Sequence, residues 1–70
     1  MPARARELIA VAERLGFRIR DQKGSHVTMT HPDGRVTTVP FHGSREIGGP
    51  LYYAILKQLG ISEEEFRRLK

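Results

Sequence analysis

The 70-residue sequence predicts an α+β domain of order α-β-β-β-α, with a three-stranded antiparallel sheet, both long helices on one sheet face, and a short C-terminal helix. Three observations predict this. Apolar residues recur at helical spacing over residues 3–15. The period drops to two between residues 17 and 39, where two tight-turn signals interrupt it. Helical spacing then returns after Pro50 and again after Ser62. Two short connections joining three β-rich runs imply an antiparallel meander, because parallel strands need a long crossover. A chain this short buries only about 60 % of the surface its unfolded form exposes, so residues 1–70 make one domain with a thin stability margin. It has no cysteine, hence neither a disulfide nor a thiolate metal site to staple it.

Each element has its own signal. Leu8, Val11, Ala12 and Leu15 line one face of the first helix, and Gly16 stands where a left-handed residue would end it. Phe17 and Ile19 alternate with Arg18 and Arg20, the repeat of a half-buried strand over residues 17–22. Lys23-Gly24-Ser25 reads as a turn. Residues 26–31 resume alternation, with Val27 and Met29 on one face and His26, Thr28 and Thr30 on the other. His31-Pro32-Asp33-Gly34 reads as a type I turn with a bulge. Residues 35–39 form a third β-rich run whose facing alternation does not assign. Pro40 to Gly49 read as a loop carrying Phe41, His42 and Arg45. Pro50 suits the first turn of a helix, in which Leu51, Ile55 and Leu59 repeat before the stop at Gly60. Ser62 and Glu65 form a capping box for the last helix, with Ile61 and Phe66 placed as a hydrophobic staple. The expected core is Phe17, Ile19, Val27 and Met29 against Leu8, Val11, Leu15, Leu51, Ile55 and Leu59. Arg18, Arg20, His26, Thr28 and Thr30 are left on the open face.

The net charge of +4 is concentrated in the middle of the chain. Residues 17–45 hold Arg18, Arg20, Lys23, Arg35 and Arg45 against Asp21 and Asp33, together with all three histidines. A basic patch containing histidines is the footprint expected for phosphate contact, although a solvated face of an Arg-rich protein has the same composition. Lys23-Gly24-Ser25-His26 carries the sharpest chemistry. A glycine turn leaves backbone N–H groups accessible, Ser25 adds a hydroxyl, and Lys23 adds a mobile charge for phosphate. Histidine can accept and donate protons near neutral pH, so His26 could act on the 2′-hydroxyl that RNA places beside each phosphodiester.

Other constellations point elsewhere. His26 and His31 have a spacing compatible with zinc, but five residues along a strand send them to opposite faces, and no nearby acid completes a triad. No metal or other cofactor is therefore expected. Glu63-Glu64-Glu65 reads as a helix start that complements the macrodipole. Tyr52 and Tyr53 lie in an apolar helix, which favours packing over base stacking. No apolar run reaches the ~18 residues of a membrane span, and charges interrupt residues 1–16 too often for a signal peptide, so a cytoplasmic protein is expected.

Gly16-Phe17, Gln22-Lys23-Gly24-Ser25-His26, His31-Pro32-Asp33-Gly34-Arg35, Thr38-Val39-Pro40 and Ile55-Leu56-Lys57-Gln58-Leu59-Gly60-Ile61-Ser62 together resemble the HicA toxin family, in order and spacing, from about residue 6 to residue 66. The resemblance implies a fold similar to double-stranded RNA-binding domains, mRNA interferase activity independent of the ribosome, and pairing with a HicB-type antitoxin. It places the catalytic histidine of the family's glycine-serine-histidine motif at His26. His42 matches a position often occupied by histidine, with no catalytic role assigned. The chain departs from the family pattern at Val27 and Met29, where a second histidine and an aromatic residue are frequent, and at Gly49-Pro50-Leu51, where glycine-threonine-leucine is frequent. The expectation is thus a metal-independent endoribonuclease with His26 as acid/base. Lys23, Gly24 and Ser25 would hold phosphate, and Arg18, Arg20 and Arg35 would place the RNA backbone. The alternative is a non-catalytic module holding duplex RNA by shape.

Overall fold

The computed structural model describes residues 3–42 and 46–70; Arg45, assigned above to the loop after the third strand, lies outside the described residues. The elements are β1 (Ala3–Arg4), α1 (Ala5–Arg14), β2 (Arg18–Lys23), β3 (His26–Thr30), β4 (Val36–Pro40), β5 (Glu46–Ile47), α2 (Gly49–Leu59) and α3 (Glu63–Leu69). Strands β2-β3-β4 form the expected antiparallel meander. The pair β1 and β5 was not foreseen. Ala3 pairs with Ile47 and Arg4 with Glu46, burying Ala3 and Ile47, so α1 begins at Ala5 rather than residue 3. Runs of two residues carry no period for a sequence to display.

The helix ends follow local chemistry. The Glu7 carboxylate accepts the Arg4 N–H at 2.9 Å at the start of α1. At its end Gly16 takes φ +101°, the Phe17 N–H reaches the Ala12 carbonyl at 2.9 Å, and the Gly16 N–H reaches that of Glu13 at 3.0 Å. This is a Schellman cap. The same pattern closes α2, where Gly60 and Ile61 donate back to Lys57 and Leu56. For α3 the capping box is complete, with the Glu65 N–H on Ser62 Oγ and the Ser62 N–H on Glu65 Oε1, both at 3.1 Å.

The core gathers Leu8, Val11, Ala12, Phe17, Val27, Met29, Val39, Tyr52, Ile55, Leu56, Leu59 and Phe66 between the helices and one face of the sheet. Two expected core members are corrected. Ile19 is 51 % exposed although it stands opposite buried Met29, because both long helices pack chiefly over β4 and leave edge strand β2 uncovered. Leu51 is 44 % exposed because the buried stripe of α2 runs Tyr52, Ile55, Leu56, Leu59, the i, i+3, i+4, i+7 set. Tyr52 takes the place assigned to Leu51, stacking edge-to-face on Phe66 with centroids 5.8 Å apart. Burial beside the Glu63 carboxylate pushes its phenol up to about 12. On β4 it is Thr37, not Val36, that turns inward; its hydroxyl is satisfied by Gln58 Oε1 at 2.6 Å.

Candidate active site

The β2–β3 hairpin places the segment singled out from sequence. Lys23 and His26 are direct cross-strand partners, joined by a two-residue turn through Gly24 and Ser25. Gly24 has φ +58° and Ser25 does not share the positive sign, the pattern of a type II′ turn with glycine in its first central position. His26 shares the parity of Thr28 and Thr30, opposite that of buried Val27 and Met29, so its ring stands on the face the helices do not cover.

Lys23 reaches that face through an irregularity. Ile19 pairs with Met29 on the helix side, and strict alternation would carry Lys23 there too. The register shifts between Ile19 and Asp21, with Arg20 as the extra residue, and the rest of β2 is turned over. Asp21 then faces Thr28, Gln22 faces Val27, and Lys23 faces His26. The bulge therefore brings the cation beside the imidazole.

A cleft of about 500 Å³ opens at this end of the sheet, lined by His26, Pro40, His42, Glu46, Ile47, Gly48 and Leu51. That volume lies in the range of small-ligand pockets. Gly48, the N-cap of α2, has no side chain to cap the helix, so the amide end of α2 borders the cleft. Among the described residues, the side chains of Lys23, His26 and His42 make no hydrogen bond or ion pair.

The other expected RNA contacts are spread out. Arg18 pairs with Thr30 at the far end of the sheet, four residues from His26, roughly 13 Å at about 3.3 Å per residue. Arg20 stands at the bulge between. Arg35 lies just beyond β4 at the far end and is engaged. Its Nε donates to Asp33 Oδ2 at 2.8 Å, its Nη1 donates to the Leu59 carbonyl, and its guanidinium lies over the Phe17 ring at 5.1 Å. The Arg35 backbone N–H and then its guanidinium hold the Asp33 carboxyl below its ordinary value. His31 belongs to the same cluster. Its Nδ1 accepts the Asp33 N–H at 3.1 Å, which leaves the proton on Nε2 for the Leu15 carbonyl, also at 3.1 Å. So the structure unites Lys23, Gly24, Ser25 and His26, strings Arg18 and Arg20 along the edge, and sets Arg35 apart.

The sequence pattern gives His42 and Glu46 only a place in a loop, whereas the structure sets both in the cleft. The signal for His42 was present. A three-residue turn centred on Asp33 fixes the β3–β4 register, pairs His26 with Pro40, and leaves His42 two residues past that partner. Among the described residues no helix is long and apolar enough to cross a membrane.

No match to the chain is found among curated proteins. Residues 5–61 match the family described as HicA toxin of bacterial toxin-antitoxin. That stretch takes in α1, the whole three-stranded sheet with the Lys23–His26 hairpin, the cleft, and α2 with its Gly60 cap, so the likeness covers both the scaffold and the site. The chain belongs to the HicA toxin family, whose members are the toxin half of a toxin–antitoxin pair.

Proposed function

We propose that this toxin is a metal-independent endoribonuclease that cleaves mRNA in the cytoplasm, with His26 as an acid/base catalyst. The observation that carries this reading is an imidazole on the open face of the sheet with no side-chain partner among the described residues, with Lys23 directly across the hairpin and a cleft beside it. Lys23 would neutralise phosphate while the turn amides of Gly24 and Ser25 lie at the same edge, available to phosphate oxygens. Arg20 and Arg18 continue the positive track along β2 and would engage the backbone on one side of the scissile phosphate. Arg35 is given to the fold rather than to RNA, since its guanidinium is already shared by Asp33, Leu59 and Phe17. The acid–base capacity this reading uses is the imidazole of His26.

A HicB-type antitoxin would silence the enzyme by covering the Lys23–His26 end of the sheet. It would stabilise the toxin as it did so, because it binds the folded state alone. Antitoxin-free protein incubated with labelled RNA in the presence of chelator tests the reading. The wild type should cut and the folded His26→Ala variant should not. Intact RNA that is nonetheless bound, with affinity falling steeply in salt, would identify a binding module instead.

A further inference from the structure

We infer that His42 is the second acid–base group of this site, acting with His26 across the cleft. The inference rests on the ribonuclease reading above and supplies what it lacks. Displacement at phosphorus by a 2′-oxygen puts the entering and leaving oxygens on opposite sides of the phosphate. One imidazole cannot take a proton at the first and deliver one at the second in the same event.

The backbone supplies the second ring. Pro40 is the cross-strand partner of His26, and the Phe41 N–H donates to the Ser25 carbonyl, which carries the pairing one residue past β4. His42, two residues beyond Pro40, returns to the parity of His26 and lines the same cleft. Both side chains are exposed, and neither has a side-chain partner among the described residues. The third histidine differs on every count, being half-buried at the far turn and bonded through both nitrogens. Among the described residues, the charged groups that border the pair are Glu46 in the cleft and Lys23 beside His26.

In the reaction, one ring enters neutral and accepts the 2′-hydroxyl proton as O2′ bonds to phosphorus. The bond from phosphorus to O5′ breaks, and the other ring, entering protonated, gives its proton to O5′. The products are a 2′,3′-cyclic phosphate and a 5′-hydroxyl end. The two rings finish with their protons exchanged, and solvent resets them.

The test compares wild type, His26→Ala, His42→Ala and His42→Gln on ordinary RNA and on RNA whose scissile O5′ is replaced by sulfur. A thiolate leaves without a proton, so loss of the general acid is rescued by this substrate and loss of the general base is not. Each His42 variant should melt as the wild type does yet cut ordinary RNA about 100-fold more slowly, the lower end of what acid–base catalysis supplies. Its pH profile should lose one limb of the wild-type bell. The sulfur substrate should restore cleavage to the variants at one histidine position and not to those at the other. Folded His42 variants that cut at the wild-type rate with both limbs intact would overturn the inference while leaving His26 in place. Rescue at both positions, or at neither, would overturn it too. Wild-type protein that leaves RNA intact would instead defeat the ribonuclease reading itself.

Discussion

The two hairpins of the sheet carry similar side chains and put them to opposite uses. Each has a histidine and a cation beside a glycine turn, Lys23 and His26 at one end, His31 and Arg35 at the other. At the far turn every one of these groups is engaged. His31 donates to the last carbonyl region of α1 through Leu15, Arg35 donates to that of α2 through Leu59, and Asp33 ties the two together. The Arg35 guanidinium at the C-terminus of α2 also complements that helix's dipole. The far turn is thus a clasp that fastens both helices to the sheet. A Cβ at Gly16 would come within 2.9 Å of His31 Nε2, and one at Gly60 within 2.8 Å of Arg35 Nη1, so the cap glycines leave room for the clasp. At the near hairpin a Cβ on Gly24 would meet nothing within 4 Å. Residue type does not separate an engaged histidine from one with no side-chain partner among the described residues; the groups around it do.

The comparison can be broken at the clasp first. Arg35→Ala removes a helix-end hydrogen bond, a cation–π contact and the Asp33 pair. It should cost about 2 kcal/mol and lower Tm by about 10 °C, with cleavage per folded molecule unchanged. A variant that melts normally but fails on RNA would move Arg35 into the RNA site. Next in size, Gly16→Ala should cost about 1–2 kcal/mol, since it combines a left-handed backbone with the encounter with His31, whereas Gly24→Ala should cost about 1 kcal/mol from backbone alone. Equal denaturation midpoints for the two would deny the clasp its tight fit.

Smaller effects sharpen the contrast. Lys23→Ala should change stability by less than about 0.5 kcal/mol, yet weaken RNA binding and flatten its salt dependence by about one unit of slope. The Asp33 carboxyl is lowered from 3.8 in the folded protein, by the Arg35 backbone N–H first and then by its guanidinium. A lowered folded value means its contribution is complete above 3.8 and disappears as pH falls through the lowered value. Asp33→Asn should therefore shrink the loss of Tm on acidification below that point. It should not abolish the loss, because Glu7, lowered from 4.5 by the Arg4 N–H and by Lys70, adds to the same slope.

How much of this was legible depends on the range of each signal. Caps at Gly16, Gly60 and Ser62, and the Pro32-Asp33-Gly34 turn, are decided within a few residues, and the structure has them where the sequence indicated. Ile19 and Leu51 were misplaced because burial depends on which strands the helices cross and on how α2 is rotated, neither of which a local repeat encodes. The bulge at Arg20 was invisible for a related reason, since it shows only against a partner strand. Within the site, His26 and Lys23 were legible as neighbours across a short turn. His42 was legible only at one remove, because its nearness to His26 follows from the β3–β4 register that the Asp33 turn sets. Arg35 was read as one more basic group because charge says nothing about whether a guanidinium already has partners.

The most direct measurement is a crossed pair of substitutions, His26→Ala and His31→Ala, each followed by thermal melting and by RNA cleavage normalised to the folded fraction. His26→Ala should melt with the wild type and lose cleavage. His31→Ala should lose about 1–2 kcal/mol through the Leu15 bond and the edge contact with Phe17, and should still cut. The reverse pattern, a stable and inactive His31→Ala beside an active His26→Ala, would contradict the division of the sheet into a fastened end and a working end.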